Sequence, residues 1–222
     1  MLKIEKTVLP SPEQWEIIIE GMRNPLNSWD KSDSYKTHIE NPETLNAADF
    51  EFFMGEADYG LMEKLAKGGA VHAKYRRMIP VYVTINAPLY WWKEFDTYKV
   101  GTVANSCSTM HKIHAKEFTL NDFSREHLLG YWDADVLEHI VDALNDARDQ
   151  YLETKEKQYW WQMIQLLPTS YNQKRTVMLN YEVLVNIYHS RKNHKLDCWH
   201  TFCDWIETLP YSELITGGED NA

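Results

Sequence analysis

The chain has few cysteines, no long apolar run and no apolar segment at its N-terminus. Its three cysteines are odd in number and lack the regular spacing of a disulfide framework. No stretch approaches the ~20 apolar residues that cross a bilayer. The first residues carry charges at Lys3, Glu5 and Lys6 and do not form the apolar core of a signal peptide. These absences predict a cytoplasmic protein with no membrane partner.

Positive charge is also scarce. The formal net charge is −10, from 23 lysines and arginines against 33 aspartates and glutamates, and no long basic run occurs. Proteins that bind nucleic acid polymers normally present a basic patch, so this class of partner is excluded. A single nucleotide is still compatible with the composition, because a few local cations can hold one phosphate group within an acidic protein.

Several common catalytic motifs are missing as well. The sequence contains no glycine-rich phosphate loop and no G-x-S-x-G nucleophile elbow, which excludes the commonest nucleotide-binding and hydrolase motifs. What it does contain is 44% hydrophobic residues and 13% aromatic residues over 222 positions. That is enough for one domain with a packed core, or for one domain with a small appendage.

Secondary structure follows from residue preferences, periodicity and stop signals. The sequence predicts these elements in order: a strand over Met1–Val8, a helix starting at Ser11-Pro12-Glu13, a surface loop over Asn24–Glu40, a helix over Asn46–Lys67, a strand over Arg77–Ala87, a helix over Leu89–Tyr98, an irregular connection over Val100–Ser106, a short helix over Cys107–Glu117, one or two helices within Ser124–Gln165, and one long helix over Met178–Thr208.

The predicted last helix carries polar residues in an apolar stripe. Asn180, Leu184, Ile187, Arg191 and His194 recur at intervals of four and three, so they would share one face. A buried arginine and histidine need partners. The partner is either a structural ion pair or an anionic ligand, and the sequence favours neither.

Three potential metal ligands are also regularly spaced. Cys107, His111 and His114 would share one helix face, and a thiolate with two imidazoles suits zinc. No fourth ligand is evident, and pairs of helical histidines are often incidental. We therefore predict no metal site here. A metal-dependent enzyme that uses these three residues is kept as a weaker functional alternative.

Glu94 is an unusual carboxylate because Trp91, Trp92 and Phe95 surround it in sequence. It either pairs with a neighbouring lysine, Lys93 or Lys99, or contacts a ligand.

Two separated segments, Ala87–Met110 and Leu167–His194, together carry a recognisable order of residues. In the first, a strand ends at Ala87-Pro88, a helix runs towards Lys99, and Ser108 opens a turn. The second contains the pair Leu167-Pro168, the asparagines Asn180 and Asn186, and Arg191. His72 precedes both segments. This order resembles the flavin-dependent thymidylate synthases, the ThyX family, over about residues 50–206.

The resemblance implies an α/β (α+β) fold in which long helices flank a central antiparallel sheet. It implies one domain over residues 1–222, with an N-terminal strand, helix and loop in 1–45 and a flexible tail over 211–222. Such enzymes assemble as homotetramers with shared active sites. They methylate dUMP to dTMP using FAD, methylenetetrahydrofolate as carbon donor and NADPH as reductant, and the protein contributes binding, orientation and polarisation.

The resemblance also implies roles for individual residues, according to their positions in the family's pattern. The resemblance implies catalytic roles for Arg191 and Glu94, cofactor contacts from His72, Lys99, Asn180, Asn186 and Arg191, and substrate contacts from Glu94, Ser108 and Arg191. Arg191 would contact the pyrimidine carbonyl and favour its enolate-like charge. Ser108 would bind the phosphate region through its backbone.

The chain departs from the family pattern where the family uses arginine. An Arg-His-Arg triplet is replaced by Thr97-Tyr98-Lys99, a Ser-x-Arg-Tyr turn reads Ser108-Thr109-Met110-His111, and Ile164-Gln165 stand where an arginine reaches the phosphate. Threonine and methionine cannot reproduce the bidentate fork of arginine. Four nearby cations could replace it: Lys99, Lys112, Lys174 and Arg175.

Two functional readings follow. In the first, the chain is a divergent flavin-dependent thymidylate synthase with a rebuilt phosphate site. In the second, it keeps the fold and has lost or altered the catalysis, and it binds a different nucleotide or acts as a protein-interaction subunit.

Overall fold

The structure is a computed structural model that describes residues 2–39 and 49–217. In chain order its main elements are β1 (Lys3–Val8), α1 (Pro12–Arg23), β2 (Tyr35–Ile39), β3 (Asp49–Phe53), α2 (Glu56–Lys67), β4 (Pro80–Pro88), α3 (Leu89–Phe95), β5 (Val103–Ser106), α4 (Tyr131–Thr154), α5 (Lys157–Leu166), β6 (Asn172–Asn180), α6 (Tyr181–Arg191), α7 (Asp197–Glu207) and α8 (Glu213–Thr216). None of the described helices is long and apolar enough to cross a membrane.

The strands form two sheets. The larger has the order β1-β4-β6-β5, and β2 pairs with β3 in a separate antiparallel hairpin with Tyr35 opposite Phe53. Residues of β4 alternate between buried and less buried, as expected of a strand with one face against a core. This combination of helices with an antiparallel sheet confirms the predicted α/β (α+β) fold class.

The chain divides into two compact units. The first comprises Met1–Lys6, Thr84–Lys99 and Ala104–Val177, and the second comprises Thr7–Val83, Val100–Val103 and Met178–Ala222. A core cluster of the first unit includes Phe118, Leu144 and Met163, while Trp199 and Phe202 are among the fully buried residues of the second. The single domain inferred from the resemblance stays a prediction.

Local signals placed several elements correctly. The helix predicted at Ser11-Pro12-Glu13 is α1, where Ser11 and Gln14 form a reciprocal capping box and Pro12 occupies the first turn. The predicted N-terminal strand is β1, and the helices expected between 124 and 165 are α4 and α5. The strand expected over Arg77–Ala87 is β4, which begins later because residues 74–78 form a 3-10 helix.

The predicted long helix over Met178–Thr208 is wrong. Asn180 ends β6 with an extended backbone (φ −137°, ψ 171°) and caps α6, because its side-chain oxygen accepts the N–H of Val183 at 3.1 Å. The helix then stops at Arg191, and α7 begins only at Asp197. The proposed stripe from Asn180 to His194 therefore does not exist as one helix face.

Other predicted elements also need correction. The helix expected over Asn46–Lys67 is instead β3 followed by α2, with residues 46–48 outside the described part of the chain, and α2 does stop at Gly68. Part of the loop expected over Asn24–Glu40 forms β2, and the connection at Val100–Ser106 contains β5. The helix α3 ends at Phe95 rather than Tyr98, and α8 lies within the predicted tail over 211–222.

The short helix predicted over Cys107–Glu117 does not form. Ser108 Oγ accepts the N–H groups of Met110 and Lys112, at 3.3 and 3.2 Å, which stabilises a turn instead. Only Ile113–Ala115 adopt a short 3-10 helix.

Candidate functional site

A cavity of about 410 Å³ lies at the junction of β6 and α6, entirely within the second unit. We call it the Asn180 cavity. Nine residues line it: Ala70, Val71, Arg77, Val100, Gly101, Asn180, Glu182, Val183 and Asn186. Its volume falls in the range of small-molecule and cofactor sites, and its lining combines apolar side chains with a few polar groups.

Gly101 is required in this cavity for two reasons. Its φ of +80° is a conformation that side chains other than glycine rarely adopt. In addition, a Cβ atom placed there would lie 3.1 Å from Nδ2 of Asn180 and 3.2 Å from Cγ2 of Val183. Glycine thus keeps this part of the cavity open beside the Asn180 amide.

Glu182 supplies an acceptor without a partner. Its Oε2 atom is buried and receives no hydrogen bond from any residue that the structure describes. A buried carboxylate oxygen is costly unless an N–H or O–H group donates to it. Since Glu182 lines the Asn180 cavity, a ligand with such a donor would satisfy the oxygen.

Of the residues predicted to hold the cofactor, Asn180 and Asn186 meet in this cavity. His72 is exposed next to the lining residue Val71, and Arg191 is at the end of α6. The guanidinium of Arg191 lies 4.8 Å from the Trp199 ring centroid, and the His194 ring packs edge-on to the same indole. Trp199 is therefore one partner of Arg191 and of His194, the two polar residues whose partners the sequence did not indicate.

A second cavity, of about 380 Å³, lies within the first unit. We call it the Lys155 cavity, and its lining residues are His111, Tyr151, Lys155, Lys157 and Trp160. Two lysines and a histidine lie beside two aromatic rings, and no carboxylate is among the lining residues that the structure describes. This combination of charge and flat apolar surface suits a phosphorylated aromatic molecule.

The neighbouring residue His114 is affected both by burial and by nearby cations. Burial, followed by the cations Lys112, Lys155 and Arg148, lowers the pKa of His114 below its ordinary value. Its Nδ1 atom is buried and has no hydrogen-bond partner within the described residues. The ring of His114 packs against Tyr151, 4.9 Å between centroids.

Ser108 helps to position this second cavity. Its side chain stabilises the turn that precedes His111, and Nε1 of Trp160 donates to the carbonyl of Met110 at 2.9 Å. The turn is thereby fixed against α5. Lys155 and Lys157 were missed by the sequence analysis, because they lie more than forty positions from Ser108 and no motif links them.

Two of the four suggested replacement cations have partners in the first unit. Lys174 Nζ lies 2.5 Å from Glu5 Oε2. Arg175 forms an ion pair with Asp96 at 2.7 Å, and its guanidinium lies 4.3 Å from the Trp92 ring centroid. Lys99 and Lys112 are exposed.

Glu94 lies half-buried on α3. Its aromatic neighbours are core residues: Trp91, Trp92 and Phe95 are almost fully buried, and Nε1 of Trp92 donates to the carbonyl of Gln173 at 2.9 Å. These three rings therefore pack in the protein interior, whatever Glu94 contacts.

The zinc alternative loses its geometric basis. Cys107, His111 and His114 do not share a helix, because residues 108–112 form the Ser108 turn. Across residues 2–39 and 49–217, no group of three or more histidine, cysteine, aspartate or glutamate side chains is placed to hold a metal ion.

Comparison with solved structures identifies the architecture. The chain superposes on the flavin-dependent thymidylate synthase ThyX from Helicobacter pylori in complex with FAD and dUMP, with a TM-score of 0.62 over 97% of this chain and 96% of that one. The chain has the ThyX fold. A second structure of the Helicobacter pylori enzyme, also with FAD and dUMP, gives a TM-score of 0.62 over 97% and 95% of the two chains.

Sequence similarity to these two structures is low, at 14% and 15% identity. No protein-family model and no curated protein sequence matches the chain. The structural likeness therefore establishes the fold and leaves the chemistry to be argued from the residues.

Proposed function

We propose that this protein is a ThyX-like enzyme that binds FAD and reductively methylates dUMP to dTMP, with methylenetetrahydrofolate as carbon donor and NADPH as reductant. The observation that carries the proposal is the Asn180 cavity, where two asparagines, a required glycine and an unsatisfied carboxylate meet within the ThyX fold. Bound flavin would supply the hydride chemistry.

The lining residues fit part of such a cofactor. The amide of Asn186 can donate and accept hydrogen bonds, and Nδ2 of Asn180 remains a donor because Oδ1 of that residue caps α6. This combination suits the polar edge of a flavin ring. Oε2 of Glu182 would accept a hydrogen bond from a ring N–H or a ribityl hydroxyl, and Arg77 would supply a cation for phosphate. His72 and Lys99 are proposed as further cofactor contacts beyond this lining.

The nucleotide phosphate is assigned to the Lys155 cavity. Lys155 and Lys157 provide positive charge where the family pattern uses arginine, and the Ser108 turn holds His111 beside them. This assignment explains how the chain can lack the arginines and still hold a nucleotide.

Two residues are proposed to act on the pyrimidine itself. Arg191, which is stacked on Trp199 at the end of α6, would contact the carbonyl and stabilise the negative charge that develops on it. Glu94 on α3 would contact the substrate.

Flavin binding tests the proposal most directly. Gly101→Ala should weaken FAD binding by about ten-fold or more, because the added methyl group meets Asn180. Glu182→Gln should also weaken binding, since it alters the unpaired acceptor without changing its size. The purified protein should show the visible absorption of bound flavin, bleach with NADPH, and release tritium from labelled dUMP when methylenetetrahydrofolate is present.

Gly60→Ala is the matched control. A Cβ atom at Gly60 would meet nothing within 4 Å, and this residue lies inside α2, so alanine should slightly raise stability and leave FAD binding unchanged. A protein that stays colourless, does not bind added FAD and releases no tritium would end the proposal. Thermal melting of each variant separates lost binding from lost folding.

The second candidate is a non-catalytic ThyX-fold protein that binds another nucleotide or acts as an interaction subunit. It is favoured by the missing arginine triplet, which reads Thr97-Tyr98-Lys99 in this chain. Flavin that binds and is reduced by NADPH would count against it.

A further inference from the structure

A third cavity, of about 360 Å³, lies in the second unit beside α1 and is not used by the proposed function. We call it the α1 cavity. It is lined by Glu16, Ile19, Glu20, Arg23, Trp29, Ser32, Ser34 and Phe52. Its volume is sufficient for a small molecule.

Two aromatic rings form walls of the α1 cavity, and both are held without a ligand. Nε1 of Trp29 donates to Oδ1 of Asn24 at 2.8 Å, which fixes the indole although half of its surface is exposed. Phe52 stacks on Trp15 with ring centroids 5.7 Å apart and an angle of 14° between planes. The walls are therefore preformed, which reduces the entropy lost on binding.

Arg23, the one cation among the described lining residues, is paired with a carboxylate. Arg23 is 3% exposed, and its Nε lies 2.5 Å from Oδ1 of Asp58. Its Nη1 donates to the Ser28 carbonyl at 3.2 Å, while Nη2 has no partner among the described residues. Asp58 also accepts from Oγ of Ser32 at 2.8 Å. Asp58 therefore balances the formal charge of Arg23, and Nη2 remains as an unused hydrogen-bond donor.

The lining instead carries an uncompensated negative charge. Glu16 forms an ion pair with Lys36 at 2.9 Å. Glu20 makes no ion pair within the described residues and is exposed to solvent. The charge of the described lining residues therefore favours a cationic ligand over an anionic one.

We infer that the α1 cavity binds a small organic cation, a quaternary or protonated tertiary ammonium. The cation would lie over the face of Trp29, where the electron-rich ring attracts it, and Glu20 would balance its charge. Its alkyl groups would contact Ile19 and Phe52. Metal ions and inorganic ammonium fit less well, because they would leave the apolar walls without a partner.

Three probes of one shape test the assignment on the full chain: choline, its neutral carbon isostere dimethylbutanol, and the anionic dimethylbutanoate. Calorimetry at low ionic strength, together with quenching of tryptophan fluorescence, measures binding. We expect choline to bind about ten-fold or more tightly than the alcohol, and the carboxylate not to bind. Equal binding of choline and the alcohol would show that the cavity recognises only apolar surface, which would contradict the inference. Preference for the carboxylate would also contradict it and would identify Arg23 as the group that recognises the ligand.

Single substitutions show which residues bind the cation. Trp29→Leu and Glu20→Gln should each weaken choline binding by about ten-fold, and Trp29→Phe should retain part of the affinity. Glu153→Gln removes an exposed carboxylate on α4 and should change nothing. Absence of choline binding by the folded wild-type chain, or loss in Glu153→Gln equal to that in Glu20→Gln, would overturn the inference. FAD binding by the same variants should be unaffected, so this test is independent of the proposed enzyme activity.

Discussion

Asp58 is a buried carboxylate that links separate segments of the second unit through hydrogen bonds. The side chain is fully buried, yet it receives hydrogen bonds from Arg23, from Ser32 and from the backbone N–H of Ser34. Burial by itself raises the pKa of Asp58, but the hydrogen bonds from Ser34, Ser32 and Arg23 outweigh it and lower the pKa below its ordinary value. The ionised form is therefore part of the folded structure.

Asp58→Asn should lower the free energy of unfolding by about 3–5 kcal/mol, because it leaves Arg23 buried without its counter-charge. Urea denaturation measures the loss, and Asp30→Asn, at an exposed position, is the control. Since the folded-state pKa is lowered, the stability contributed by Asp58 is present above its unfolded pKa of about 3.9 and is lost as the pH falls through the folded value. A loss below about 1 kcal/mol in Asp58→Asn would contradict this role.

At the scale of elements, the turn between α4 and α5 places charge in the Lys155 cavity. Lys155 caps α4 with φ 60° and ψ 14°, a left-handed conformation that asparagine and glycine adopt more easily than lysine. The next helix begins two residues later at Lys157. With this turn, both Lys155 and Lys157 line the Lys155 cavity.

Lys155→Asn should keep the turn and weaken binding of inorganic phosphate and dUMP. We expect unfolding free energy to change by less than about 1 kcal/mol, because asparagine tolerates the left-handed backbone. Removing the cation should raise the pKa of His114, which Lys155 helps to lower, and NMR titration of the imidazole measures this. Phosphate added to the wild-type chain should raise the same pKa, whereas Lys155→Arg should behave like the wild type. Unchanged phosphate affinity in Lys155→Asn would remove the cavity from the proposed substrate site.

At the scale of the whole molecule, the resemblance implies a homotetramer, and the exposed apolar residues at the start of α4 offer a contact surface. Leu128, Leu129, Tyr131, Trp132 and Val136 are all at least 41% exposed. Tyr131 and Trp132 lie in ring contact with each other, and exposed apolar patches often mark interaction sites.

Light scattering should therefore give a particle of four times the 26.2 kDa chain mass. Trp132→Ser should shift the population towards smaller species, and Trp161→Ser, at a partly exposed indole on α5, serves as the comparison. A wild-type chain that stays monomeric at high concentration would contradict both the tetramer and this contact surface.

Sequence determined those parts of the protein that depend on neighbouring residues. Ser11, Pro12 and Gln14 define the start of α1 through a capping box, and Gly68 ends α2, because caps and stops are interactions within a few positions. The order of residues from His72 to Arg191 was likewise sufficient to anticipate the fold that the superposition shows.

Tertiary structure alone decided how distant residues meet. An apolar segment with Asn180 in it is compatible with a helix, and it became the end of a strand because the sheet accommodates Val177 and Leu179 in buried positions. Lys155 joins His111 in one cavity only because the Ser108 turn packs on α5. Gly101 borders Asn180 for the same kind of reason: long-range packing, which no local sequence pattern encodes, brings them together.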